Sequence, residues 1–191
     1  MKRLTRLVLL LSLMCFGHIL YAIDTPTWEL IPGESQIRFT GIQNNSPISG
    51  EFKKFSAEIT GDFSQLDQSH VRIIIDTSSL SISFKDLEDV LKNADWFNVG
   101  FFPQAVFEAK QFKKIDQNTY VAQGTITIRD KSLPLAATFN VVEHTKEKAR
   151  VKGTTNIKRT LFGVGTGEWG STDEVKDEVK VDFTLTARKR S

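Results

Sequence analysis

The sequence predicts an all-β protein: one antiparallel barrel of about eight strands, with one short helix after the third strand. Three observations carry this. Extended runs with a single apolar face follow one another along the chain, only the stretch around 83–94 has helical spacing, and so little helix cannot cover a sheet. A sheet with one apolar face must pack on a second sheet or close on itself, because otherwise its face and edges stay in water. Closure of about eight strands gives an interior that is either just filled or able to hold one small ligand.

The first strand runs from Gln36, where Ile37, Phe39 and Gly41 alternate with Arg38 and Thr40. Asn44, Asn45, Ser46 and Pro47 then supply a turn. In the second run Ile48, Gly50 and Phe52 occupy one phase and Phe55, Ala57 and Ile59 the other, so an extra residue is expected at Lys53 or Lys54. Val71, Ile73 and Ile75 mark a third strand. The helix follows, with Ser83 as cap, Asp86 in the capping-box position and Leu87, Val90, Leu91 and Ala94 as its apolar stripe. Pro103 closes that segment.

Five further strands are expected, on the alternation of Ala105, Phe107 and Ala109; of Tyr120, Ala122, Gly124, Ile126 and Ile128; and of Leu133, Leu135, Ala137, Phe139 and Val141. Ala149, Val151 and Gly153 lead a weaker strand towards Ile157. Val179, Val181, Phe183, Leu185 and Ala187 mark the last and cleanest one.

Composition places the chain among ordinary globular proteins: 191 residues, 40% hydrophobic and 25% charged, enough for one domain with a sizeable core. Residues 1–22 are expected to be a signal peptide and 23–191 the barrel domain. Lys2, Arg3 and Arg6 form a positive start, Leu7 to Leu13 an apolar run, and Ala22 a cleavage residue. A periplasmic or secreted protein is the expectation. Removing that segment takes the formal charge from +2 to −1 and removes the single Cys. No disulfide framework remains, and no basic stripe of the kind that binds nucleic acid.

Small residues recur on the inward faces: Gly41, Gly50, Ala57, Ala105, Ala122, Gly124, Ala137 and Gly153. They favour a hollow barrel over a filled one, with the aromatic side chains lining the hollow. The expected lining is Phe39, Phe52, Ile73, Ile75, Trp96, Phe97, Phe107, Ile126, Ile128, Leu135, Phe139, Phe162, Phe183 and Leu185. Trp96 and Phe97, just after the helix, fit either a lid over the opening or a plug sealing it. Arg38, Arg129 and Arg159 are the candidates to meet a ligand's polar head, each weighed against a salt bridge on the outer wall.

Catalysis and cofactor chemistry find no support in the sequence. Gly163, Gly165 and Gly167 are not followed by a helix, so they read as a flexible hairpin rather than a dinucleotide loop. There is no Gly-x-Ser-x-Gly elbow, and His70 and His144 sit in polar edge sequence without a nucleophile partner. Two isolated histidines and no mature cysteine leave little for zinc or haem. No enzyme activity, metal or resident cofactor is expected.

Several segments together resemble the YceI-like family. They are Trp28, Ser35, Ile37 and Phe39; Gly50, Phe52 and Phe55; Asp95-Trp96-Phe97 with Phe102-Pro103, Ala105 and Phe107; Gly124, Ile126 and Ile128; and Arg159, Phe162-Gly163-Val164-Gly165, Glu168 and Trp169. The resemblance covers Trp28 to Arg188, departing at Arg129-Asp130-Lys131, where the family carries a glycine in the turn. It implies a lipocalin-like barrel outside the cytoplasm, with a polyprenyl lipid such as an isoprenoid quinone along its axis. On that reading the partner is a long-chain isoprenoid lipid, with a membrane or a quinone redox system as the candidate source; the oligomeric state stays open. The alternative is an interaction protein without ligand, or an accessory factor to a membrane quinone redox system.

Overall fold

The computed structural model describes residues 25–190, so the expected signal peptide lies outside the described residues. In chain order the strands are β1 (Thr27–Leu30), β2 (Gln36–Gln43), β3 (Ser46–Phe52), β4 (Phe55–Asp62), β5 (Gln65–Asp76), β6 (Leu80–Ile82), β7 (Gln104–Lys114), β8 (Thr119–Ile128), β9 (Lys131–His144), β10 (Lys148–Lys158) and β11 (Glu178–Lys189). The helix α1 (Lys85–Lys92) lies between β6 and β7.

Hydrogen bonding runs β1-β4-β5-β7-β8-β9-β10-β11, and β1 also pairs with β11, which closes the ring. The other three strands lengthen members of that ring. β2 continues β1 along the edge of β11, β3 leads into β4 beside β2, and β6 continues β5 beside β3. The result is an antiparallel barrel of eight composite strands, each paired with its chain neighbours. Closure leaves the ring without a free edge.

The helix therefore follows the sixth strand segment rather than the third. The reason is local: β1 had too short an apolar alternation to stand out, and two of the longer runs are broken. At Lys53 and Lys54 the expected extra residue is a full interruption, with both backbone amides turned to Ser79, one to its carbonyl at 3.1 Å and one to its hydroxyl at 3.0 Å. Between β1 and β2, Ser35 Oγ donates to the Ile31 carbonyl at 2.8 Å and accepts from the Thr186 amide at 3.0 Å. Between β5 and β6, the buried Thr77 hydroxyl donates to the Phe102 carbonyl at 2.7 Å. Each break is thus supplied with hydrogen bonds that a ladder would otherwise provide.

Two hairpins use positive φ. Asn44 and Asn45 stand at 49° and 61°, so Ser46 and Pro47 already belong to β3. Arg129 stands at 56°, and the β8–β9 turn stays tight without a glycine because Ile128 pairs directly with Lys131.

Helix α1 starts differently from its sequence signature. Phe84 occupies the cap position with no side-chain hydrogen bond, so neither Ser83 nor a capping box at Asp86 operates. Glu88 does the anchoring instead: it accepts from Lys92 at 2.8 Å, from Lys85 at 2.9 Å and from the Ile82 amide at 3.4 Å. Leu91 is buried and Leu87 and Val90 pack beside it, whereas Ala94 lies past the helix and is exposed. The helix thereby covers one end of the barrel. That end also carries the 93–103 and 159–177 segments; the opposite end carries the turns after β4, β7 and β9.

Candidate functional site: two apolar chambers in line

Inward side chains leave two chambers inside the barrel. The chamber at the helix end has a volume of about 160 Å³ and the far chamber about 200 Å³. Ile37, Ile75, Ile157 and Val181 line both, forming a waist between them. Together they follow the barrel from its helix end to the β4–β5 turn.

Most of the expected lining residues face one chamber or the other. Phe39, Phe52, Trp96, Phe97, Ile128 and Phe162 line the helix-end chamber. Ile73, Phe107, Leu135, Phe139, Phe183 and Leu185 line the far one, and Ile75 belongs to the waist. Ile126 does not reach either: it is buried in the core beside Leu80, Ala105 and Phe162.

The small inward residues divide by role. Gly41 and Ala105 border the helix-end chamber, and Ala122 and Ala137 the far one. Gly50 and Gly153 are covered by rings instead, since a Cβ at either would come within 2.4 Å of Phe39 or Phe183 respectively. At Gly124 a Cβ would stand 2.1 Å from the Glu108 carbonyl oxygen. That glycine therefore permits close approach to β7 at its bulge and opens no cavity space.

Trp96 and Phe97 are packed into the helix end of the barrel, a placement that a plug and a closed lid share. Trp96 is 7% exposed and its ring lies 5.8 Å from that of Trp169, while Phe97 meets Phe52 edge-on at 5.8 Å. Asp95 ties these two aromatics to the glycine-rich segment through its backbone carbonyl, which accepts from the Gly165 and Thr166 amides, both at 2.8 Å. Its carboxylate accepts only the Thr166 hydroxyl, at 3.1 Å. The 163–167 stretch is neither strand nor hairpin: Gly163, Gly165 and Gly167 stand at φ of 67°, 77° and 60°, curling the chain between two short 3-10 turns.

That curl wraps Arg159. The side chain is 3% exposed and donates to the carbonyls of Lys176, Val164, Gly165, Trp169, Ser171 and Val175 at 2.8–3.2 Å. With every guanidinium N–H so used, Arg159 has no donor left for a ligand. Burial pushes its pKa below the ordinary arginine value, partly countered by the charge of Asp177. Arg129 is engaged through one nitrogen, its Nη1 donating to the carbonyls of Trp96 at 2.9 Å and of Gly163, and it lies over the Phe102 ring, while its buried Nε has no acceptor. Arg38 is exposed, in register with Glu51 and Asp182, on the strand phase opposite to the lining residues Ile37 and Phe39. Two of the three head-group candidates thus hold the fold, and the third lies on the outer wall.

Sequence reading missed other parts of the wall. Ile37, Ile157 and Val181 share the inward phase of Phe39 and Phe183, so periodicity could have found the waist. Phe112 lines the far chamber in the phase opposite to Phe107, because the β7 bulge after Ala109 inverts the alternation. Asp62, the last residue of β4 beyond its irregularity, and Phe63, in the turn that follows, have no periodic signal. Ser64 holds the Asp62 carboxyl below its usual pKa by donating from its hydroxyl at 2.7 Å and its amide at 2.8 Å. Phe63 packs against Tyr120 and His144, with ring centroids 5.3 and 5.0 Å away. His70 is outside the cavity, paired with Glu108 at 3.0 Å. Among the described residues no cluster of histidine, cysteine and acidic side chains could hold a metal ion.

A closed eight-stranded barrel enclosing apolar chambers defines a lipocalin-like protein with an interior suited to an apolar ligand. The chain belongs to the YceI-like family, whose domain profile matches residues 28–187. It is similar to BcnA of Burkholderia cenocepacia, with 32% identity and a TM-score of 0.79 over 83% of this chain and 99% of that one. Two further structures share the fold. The YCEI protein of Campylobacter jejuni has 23% identity and a TM-score of 0.67, covering 74% of this chain and 85% of that one. A polyisoprenoid binding domain from Saccharophagus degradans has 13% identity and a TM-score of 0.70, covering 85% and 98%. A UPF0312 protein of Azotobacter vinelandii is 23% identical over 122 residues, 61% of this chain and 64% of that relative.

Proposed function

We propose that the protein is an exported carrier or storage protein holding a long isoprenoid or polyprenyl lipid, such as an isoprenoid quinone, inside the barrel. The observation that carries this reading is the pair of apolar chambers sharing a waist, a shape suited to an elongated tail rather than a compact ligand. Each methylene moved out of water is worth about 0.8 kcal/mol, so a long tail is held without a charged anchor, even after the cost of association. The polyisoprenoid-binding domain of Saccharophagus degradans, which shares the fold, supports the same class of cargo. Export rests on the charged and apolar pattern of residues 1–22, with the mature chain beginning near Ile23.

Organic extraction and mass spectrometry of the protein purified from its periplasmic or secreted fraction test the proposal. A co-purifying polyprenyl compound is the expected result. Lipid-free protein that also takes up no polyprenyl lipid in solution would refute it.

A second reading, an interaction protein or an accessory to a membrane quinone redox system, is favoured by Phe101 and Phe84, 81% and 66% exposed beside the helix. It predicts that Phe101→Ser leaves lipid content unchanged and abolishes association with the partner.

A further inference from the structure

The wall of the helix-end chamber contains a polar atom that the protein leaves without a partner. Trp96 is part of that wall, and its indole Nε1 is buried with no hydrogen-bond acceptor. Trp28, which lines the far chamber, differs: its Nε1 donates to the Gly61 carbonyl at 2.9 Å. Buried donors are nearly always satisfied, so an orphaned indole N–H in a binding cavity calls for an acceptor from outside the chain.

The charges nearby favour the same kind of atom. Arg159 lies over the Trp96 ring at 5.7 Å, its charge solvated by backbone carbonyls and, among the described residues, bridged to no carboxylate. Arg159 and Lys176 are the charged residues lining this chamber, whereas the far chamber is lined by Asp62. Asp177 offsets part of the Arg159 charge and Lys189 part of the Asp62 charge, so the lining favours an electron-rich oxygen at the helix end only relative to the far end.

We infer that the cargo has a fixed direction: an oxygen-bearing head, a carbonyl or phenolic oxygen, accepts the Trp96 indole N–H at the helix end, and its hydrocarbon tail passes the waist into the far chamber. The inference rests on the carrier reading and adds to it a class of head and an orientation. It separates quinones, phenols and other oxygenated isoprenoids from pure hydrocarbons.

The test compares a short-tail ubiquinone with squalene, on the mature wild-type protein and on Trp96→Phe, which keeps a ring and removes the N–H. Both ligands lose the same packing, so the ratio of their affinities is the readout. Loss of the hydrogen bond should weaken ubiquinone roughly tenfold relative to squalene. In the wild type, ubiquinone should shift the Trp96 indole proton resonance downfield while squalene does not, a measurement that needs no variant to fold. Equal weakening of both ligands, or an unmoved indole resonance in ubiquinone-bound protein, overturns the inference and leaves the carrier reading standing. Failure of both probes to bind the wild type overturns the two together.

Discussion

Ala137 lies in β9 with its methyl group on the wall of the far chamber, 6% exposed. Replacing it with phenylalanine puts a ring into a chamber of about 200 Å³. A benzene molecule is accommodated by a cavity of roughly 150 Å³, so the new ring takes most of that space. The tail segment it displaces is about six carbons long, worth roughly 5 kcal/mol at ~0.8 kcal/mol per methylene. Binding of a long-chain polyprenyl ligand should therefore weaken by roughly three to four orders of magnitude. The barrel should stay folded, because the ring enters a void and not a packed wall. Ala136→Phe is the control: the neighbouring residue is exposed and absent from both chamber walls, so it should bind normally. Calorimetric titration with the same lipid, alongside circular dichroism melts, reads both effects. A folded Ala137→Phe protein with wild-type affinity would refute the placement of the tail in the far chamber.

Three further substitutions test the framework. Gly124→Ala should lower stability by about 3 kcal/mol, since its methyl meets the Glu108 carbonyl; a melting point within a degree of wild type would contradict the close approach of β7 and β8. Arg159→Lys offers three donors where arginine offers five, so some of the six carbonyls around it go unpaired; a loss of roughly 3 kcal/mol and faster amide exchange at Val164 and Gly165 are expected in denaturation and hydrogen-exchange experiments. Lys92 and Lys85 hold the Glu88 carboxyl at a pKa of about 2, below its ordinary 4.5, against the opposing effect of burial. A depressed carboxylate stabilises the fold above its unfolded pKa and loses that contribution as pH falls through the folded one. Glu88→Gln should thus be less stable than wild type at neutral pH, with the gap closing between about pH 4.5 and 2; a gap independent of pH in melts across that range would exclude the linkage.

Period-2 alternation made β2, β9 and β11 legible, and the inward phase of Phe39, Phe139 and Phe183 followed from it. The same rule failed at Phe112, because a bulge is a property of two strands in register and has no fixed residue signature. It failed differently at Gly124, where the residue points inward but the space beside it belongs to the backbone of β7. Arg159 shows a third kind of limit. An arginine in sequence reads as a free cation, yet here the carbonyls of residues 164–176 curl round it and use every donor.

What the sequence by itself determined was an all-β chain with one apolar face per strand, which water forces to close on itself. Family membership was legible too, through Asp95-Trp96-Phe97 and Phe162-Gly163-Val164-Gly165. Only the tertiary structure decided that the interior is two chambers with Ile37, Ile75, Ile157 and Val181 shared between their walls, and which cations are consumed by the fold. Alternation records only which side of a strand a residue occupies. Volume and hydrogen-bond satisfaction depend on what eight strands and two chain ends bring to the same point.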